Sequence, residues 1–334
     1  MTLILPCCRA IHFYTQGAAG QLEIMRNARP IPEVMNECFG ETTMVRKRLA
    51  LVQELREFAA RELHLPADRQ YDRYTDLHRK FVVWVVHAAP EFSVEAKTWW
   101  YPILGKLKYR GYFNEADAQE EGRRLRAQGM DVDVSGTEAY STLGWLRDPV
   151  LNTFLNRSDA ELAELIFHEL THQRLYLSGD TDFNEALATA VGEAGARLWL
   201  QSKDRLADLE IYNRRHRLQH DIISAMLRTR EELSRLYAQH RHTPPDKLRA
   251  LKTAALTRLR DEARRLRIAA GVRIPHRVPL LNNAGLNSVA AYYELLPGFE
   301  RQIEAVHGSI PAFLLRAEAM KPLTKEQRRA LLEP

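Results

Sequence analysis

Apolar positions recur along this chain with two periods, and each period predicts its own elements. Between Ser158 and Ser178, Leu162, Ile166 and Leu170 fall four residues apart, the spacing that makes one buried stripe on a helix. Ser158, with Glu161 three residues later, reads as a capping box that starts this helix, and Ser178-Gly179-Asp180 stops it. A second helix is predicted over 183–200. Helical spacing continues at Leu206, Leu209, Leu218, Ile222, Leu227 and Leu233, breaks at Thr243-Pro244-Pro245-Asp246, and resumes. The expected result is a long hairpin of helices over 201–241 and 246–268, with arms of roughly 60 and 35 Å. Nearer the amino terminus, helices are predicted at 18–27, 45–63 and 71–80. Period two takes over at Asp131-Val132-Asp133-Val134. The β-branched run from Phe81 to Val86 reads as a buried strand and is too short to cross a membrane. Strands are therefore predicted at 81–88, 100–113 and 131–143, giving a helix-rich α+β fold.

The first of the two central helices carries His168-Glu169-Leu170-Thr171-His172. Histidines four apart project from one face, off the apolar stripe, so both imidazoles can bind a single Zn²⁺ with Glu169 beside it as general base. A carboxylate from the second helix would complete three protein ligands and leave a position for water. Glu185 and Glu193 both lie on that helix. Glu185 has a second reading, because Asp182-Phe183-Asn184-Glu185 also fits a capping box. The plain alternative for the histidine pair is two solvated side chains on an exposed helix.

The pair H-E-x-x-H and Asn184-Glu185-x-x-Ala188 resembles the motifs of the gluzincin metallopeptidases. Longer stretches resemble the bacterial putative aminopeptidase family: Trp84 to Phe92, Tyr109 to Phe113, Ala139 to Leu151, Phe167 to Ala188 and Asn282 to Phe299. That resemblance spans about 13–200 and 278–313 and is least specific over 201–270. It implies a zincin-like core with an inserted helical hairpin, one Zn²⁺ held by His168, His172 and Glu185, and Glu169 as base. It also implies an oxyanion-stabilising tyrosine, for which Tyr292 is the candidate; an ordinary core tyrosine is the other reading of that residue. Gluzincins often carry an acid seven positions after the ligand glutamate, but here that position is Gly192, with Glu193 following. Asp180 and Asp182 are the nearby acids that could accept the second ring N–H of a ligand histidine. The substrates implied are short peptides, and for holding them an edge strand at 131–134 or 139–143 is available.

Composition limits the alternatives. A 45% apolar content supports a large core, and no low-complexity tract is present. The net charge of +5 is uneven: residues 201–270 carry 17 Lys and Arg against 9 Asp and Glu. No nucleic-acid motif accompanies that charge, so a solvated helical face is expected rather than specific nucleic-acid binding. Cys7, Cys8 and Cys38 show neither zinc-ligand spacing nor a disulfide framework. Relatives in the resembled family often look like lipoproteins, and Cys7 or Cys8 falls where a lipid-bearing cysteine would stand. The short stretch Met1 to Pro6 lacks a basic region, so envelope and cytoplasmic locations both stay open. The expected organisation is a core over 1–200, a basic hairpin over 201–270, and a segment over 271–334 that returns to the site. The expected activity is zinc-dependent peptide hydrolysis by an aminopeptidase. Endopeptidase action, a non-catalytic zinc-containing envelope protein, and a helical surface binder are the alternatives.

Overall fold

The computed structural model describes residues 6–37, 43–101, 105–142, 146–240, 242–273 and 281–333. Met1 to Leu5, the side chains of Cys7 and Cys8, and Cys38 lie outside what is described, and so does the lipid-anchor expectation that rests on them.

The chain opens with α1 (Pro6–Arg26), β1 (Arg29–Pro30), α2 (Ile31–Glu37) and α3 (Thr43–Arg61). A layer of strands follows: β2 (Arg73–Thr75), β3 (Val83–Pro90), β4 (Trp99–Tyr101), β5 (Gly105–Leu107) and β6 (Arg110–Tyr112). After α4 (Glu115–Ala127) come β7 (Met130–Thr137), β8 (Val150–Leu151) and the short α5 (Asn152–Leu155). The centre is α6 (Asp159–Arg174) and α7 (Thr181–Ser202), and the hairpin is α8 (Leu206–Gln239) and α9 (Pro245–Ala269). Four helices finish the described chain: α10 (Asn283–Tyr293), α11 (Leu296–Glu304), α12 (Ile310–Ala319) and α13 (Lys325–Leu332). None of the described helices is long and apolar enough to cross a membrane.

Helices with clear apolar stripes form where periodicity places them, and Ser158 and Glu161 make their capping box. Three expectations fail for local reasons. Residues 71–80 are not a helix: Tyr71 and His78 take positive φ (57° and 49°), which a right-handed helix excludes, and β2 runs between them. The strand expected at 100–113 is divided, with Gly105 at φ 75° opening β5. The strand expected at 131–143 ends at Thr137, and residues 139–142 follow as a loop tied to the Asp148 carboxylate through Ser141 and Thr142; Leu143 lies outside the described residues. Helix α4 was not anticipated, although Asn114 caps it by accepting from the backbone N–H of Ala116 and Asp117.

The main sheet has the order β6-β3-β7, with β3 antiparallel to both neighbours. The alternation along β7 is used in full. Val132 and Val134 turn toward α4, where a methyl group on Gly122 would meet both, while Asp131 and Asp133 take the other face. The largest core joins residues from Ile24 to Leu332 and is built around α3, α6 and α7. A second cluster lies under the hairpin, where Val94 and Leu286 pack among Leu233, Tyr237, Leu256 and Leu259.

Helices α6 and α7 lie close together because α7 is notched with glycine. A Cβ on Gly192 would sit 2.8 Å from the Glu164 carbonyl oxygen, and one on Gly195 would sit 2.8 Å from the Phe167 ring. The position where resembled families often carry an acid is thus a helix crossing that admits no side chain.

Candidate metal centre

On α6, His168 and His172 reach the same point from successive turns; their Nε2 atoms are 3.2 Å apart. Glu185, on the second turn of α7, brings Oε2 to 3.4 Å from His168 Nε2 and 3.5 Å from His172 Nε2. Nitrogen and oxygen ligands about 2.0–2.1 Å from a tetrahedral ion stand about 3.3 Å from one another. The three atoms therefore form one face of a tetrahedron of the size a small divalent metal needs, and these residues could hold such an ion.

The electrostatics fit the same reading. Burial alone would raise the Glu185 carboxyl, but His172 and His168 draw it well below the ordinary carboxylate range. Burial works to lower His172, and the Glu185 carboxylate more than offsets it. A pair of imidazoles and a buried carboxylate thus lean on one another for charge compensation that a cation supplies directly.

Local structure fixes the ligand positions. Helix α7 begins at Thr181 after Asp180, so Glu185 is inside the helix, and the capping-box reading of Asp182 and Glu185 is wrong. Asp182 instead accepts from Lys108 Nζ at 2.6 and 2.8 Å, and Asp180 accepts twice from Arg328 of α13. Neither acid reaches a site histidine, because both are engaged at the helix start. The Asn184 side chain both donates to and accepts from the backbone of Leu177, pinning the loop between α6 and α7. His172 Nδ1 is buried without a hydrogen-bond partner, so the expected carboxylate behind that ring is absent among the described residues.

Tyr292 of α10 stacks on His168, with ring centroids 6.2 Å apart and planes 23° from parallel. The charge of Glu185 and then burial push its phenol well above the ordinary range, so it remains an O–H donor through neutral pH. The structure thus places Tyr292 at the centre rather than in a distant core. Two further tyrosines were missed in the sequence. Tyr109 and Tyr176 both feel the charge of Glu185, after burial as the main cause, and Tyr176 is pushed up to about 12. Tyr109 comes from the turn between β5 and β6 and lies 5.9 Å from the His87 ring of β3. Its link to the helix pair is a tertiary one that no local spacing records.

A cavity of about 720 Å³ opens over the centre, lined by His168, Glu169 and Tyr292 and walled by Tyr212, His216 and Gln219 of α8. His172 and Glu185 lie behind that surface. Of the two strands considered for substrate, β7 is an edge of its sheet, but Asp131 is occupied by Lys252 and the Asn283 backbone. Only its far end, at Thr137, borders the cavity, together with Ala139 of the loop that follows.

Glu193, the rival ligand, does not approach His168 or His172. It faces His216 and His220 on α8. That second pair also has i, i+4 spacing and could have been noticed in the sequence for that reason alone.

Residues 12–332 match the family described as "Putative aminopeptidase". No curated protein and no solved structure matches the chain.

Proposed function

The chain belongs to the putative aminopeptidase family, and from that premise we propose that it is a zinc-dependent peptidase that removes amino-terminal residues from short peptides. The observation that carries this reading is the triangle of His168 Nε2, His172 Nε2 and Glu185 Oε2, with sides of 3.2–3.5 Å, beside a glutamate that lines a cavity. Those three side chains would hold the zinc, with Nε2 of both rings turned inward. When bound, zinc supplies a Lewis acid and acidifies water toward a pKa of about 7.

The remaining work falls to the chain's own groups. Glu169 adjoins His168 in sequence and faces the cavity, so its carboxylate can take a proton from the attacking water and return it to the leaving amine. Tyr292, kept protonated by the adjacent Glu185 charge, can donate its O–H to the oxyanion that develops on the scissile carbonyl. Stacking against His168 and a hydrogen bond to the Glu185 carboxylate limit the swing of the phenol and hold it beside the ligand triangle. The cavity volume lies within the range of sites that enclose a small ligand, which supports short peptides over folded proteins.

The test is mass-spectrometric digestion of a mixed peptide library by zinc-loaded protein beside Glu169→Gln. Stepwise loss of single amino-terminal residues, absent from the variant, is the expected result. Internal cuts would retain the chemistry and overturn the end preference. Absence of cleavage by folded, zinc-bound protein would overturn the hydrolytic reading.

A further inference from the structure

A second set of metal-ligating side chains gathers where α8 passes α7. His216 and His220 lie four residues apart on α8, the same spacing as the histidines of α6. Glu193 of α7 faces both, with Oε1 3.0 Å from His220 Nε2 and 3.4 Å from His216 Nδ1. The three potential ligand atoms lie within 4.8 Å of one another. Glu193 is 1% exposed and His216 6%. The other oxygen of Glu193 accepts from Arg197, which leaves Oε1 to the two imidazoles.

The setting of His216 is what calls for a cation. Its Nε2 lies 3.0 Å from Glu164 Oε2, an oxygen that also accepts from the Tyr212 hydroxyl. A carboxylate there keeps a proton on Nε2 and leaves the lone pair on Nδ1. Nδ1 is buried, makes no hydrogen bond, and faces the Glu193 oxygen. A buried lone pair turned toward a buried carboxylate is repulsive unless positive charge stands between them. Carboxylate, imidazole and metal in that order is the usual arrangement behind a ligating histidine.

We propose that Glu193, His216 and His220 bind a second divalent ion of the first transition row. Two imidazoles with one carboxylate favour ions such as zinc over magnesium or calcium, which prefer all-oxygen sites. The ion joins α8 to α7 and so fixes the helix that walls the cavity. Glu193 follows Glu185 by eight residues on α7, so the two sites lie roughly 12 Å apart along that helix and do not share a ligand.

This inference stands apart from the hydrolytic reading, and its test separates the two. Bound zinc is counted by elemental analysis in the wild type, in His168→Ala/His172→Ala and in His216→Ala/His220→Ala. The expected contents are two, one and one ions per chain, with the last variant melting at lower temperature. A wild type with one ion that only His168→Ala/His172→Ala loses, or two ions retained by His216→Ala/His220→Ala, overturns the proposal. In case that variant does not fold, the wild type gives its own answer by Co²⁺ titration followed through histidine ring proton resonances. The rings of His216 and His220 should shift with one of two equivalents. If His216 remains an imidazolium at saturating Co²⁺, the cluster is an ion-pair network and the proposal fails.

Discussion

At the scale of single residues, the proposed chemistry separates metal binding from proton transfer. Glu169 is not part of the 3.2–3.5 Å triangle, so Glu169→Gln should leave metal content unchanged. Its loss as a base should lower kcat by about 10²- to 10⁴-fold. Elemental analysis beside peptide turnover checks both halves, and loss of the metal with the activity would count against the assignment. A second residue-scale prediction concerns Asp148, which is buried and pushed up to about 6. Burial is the main cause, opposed by hydrogen bonds from Thr142 and Ser141. Its folded pKa exceeds its unfolded value of about 4, so the native state holds the extra proton between those values. Stability due to this group is therefore present at low pH and lost as pH rises through about 4 to 6. Chelator-treated wild type and Asp148→Asn, compared by urea melts, should diverge by up to about 3 kcal/mol against the wild type between pH 4 and 7. A constant difference would show that Asp148 does not titrate in this window. The helix-borne histidines were legible in the sequence because four-residue spacing alone makes them neighbours. Tyr109 and Tyr176 were not, since the fold alone brings them to Glu185.

At the scale of elements, the α6/α7 crossing sets the geometry of the centre. Gly192 is the tightest point: an added methyl group would meet the Glu164 carbonyl at 2.8 Å and the Cβ of His168 at 3.3 Å. Backbone cannot yield there as a flexible side chain would. Gly192→Ala should cost about 1–3 kcal/mol and push α6 away from α7, widening the ligand triangle. The expected signature is a lower melting temperature together with weaker zinc affinity. Unchanged affinity in a destabilised variant would show that the crossing does not position the ligands. Element boundaries were legible where capping chemistry is local, as at Ser158 and Glu161. They were misread where a backbone conformation decides. The pattern at 71–80 offers no warning of the positive φ at Tyr71 and His78. Glu185 was ambiguous for a related reason: whether it caps a helix or projects from one turns on a two-residue shift in where α7 begins.

At the scale of the whole molecule, the question is whether the basic hairpin is an appendage. Its charge made it look separable in the sequence, yet much of that charge is engaged within the fold. Arg249 pairs with Glu91, Arg205 with Asp159, and Arg215 with Glu161. A more deeply set link is Lys252 of α9, whose Nζ lies 2.5 Å from Asp131 of β7 and also donates to the Glu91 carbonyl. The Asn283 N–H converges on that same Asp131 oxygen, so hairpin, sheet and α10 meet at one half-buried carboxylate. Tyr237 of α8 strengthens the junction by donating to the Asn283 side chain. Helix α10 then carries Tyr292 to the candidate metal centre, so the hairpin and the candidate site share a support. Lys252→Ala leaves the half-buried Asp131 without its countercharge and should cost about 1–3 kcal/mol. Because the elements are joined, calorimetry should show the main unfolding transition itself moving down. A separate early transition with the main one unmoved would mean that the hairpin folds as an independent unit, and that α8 walls the cavity without depending on it.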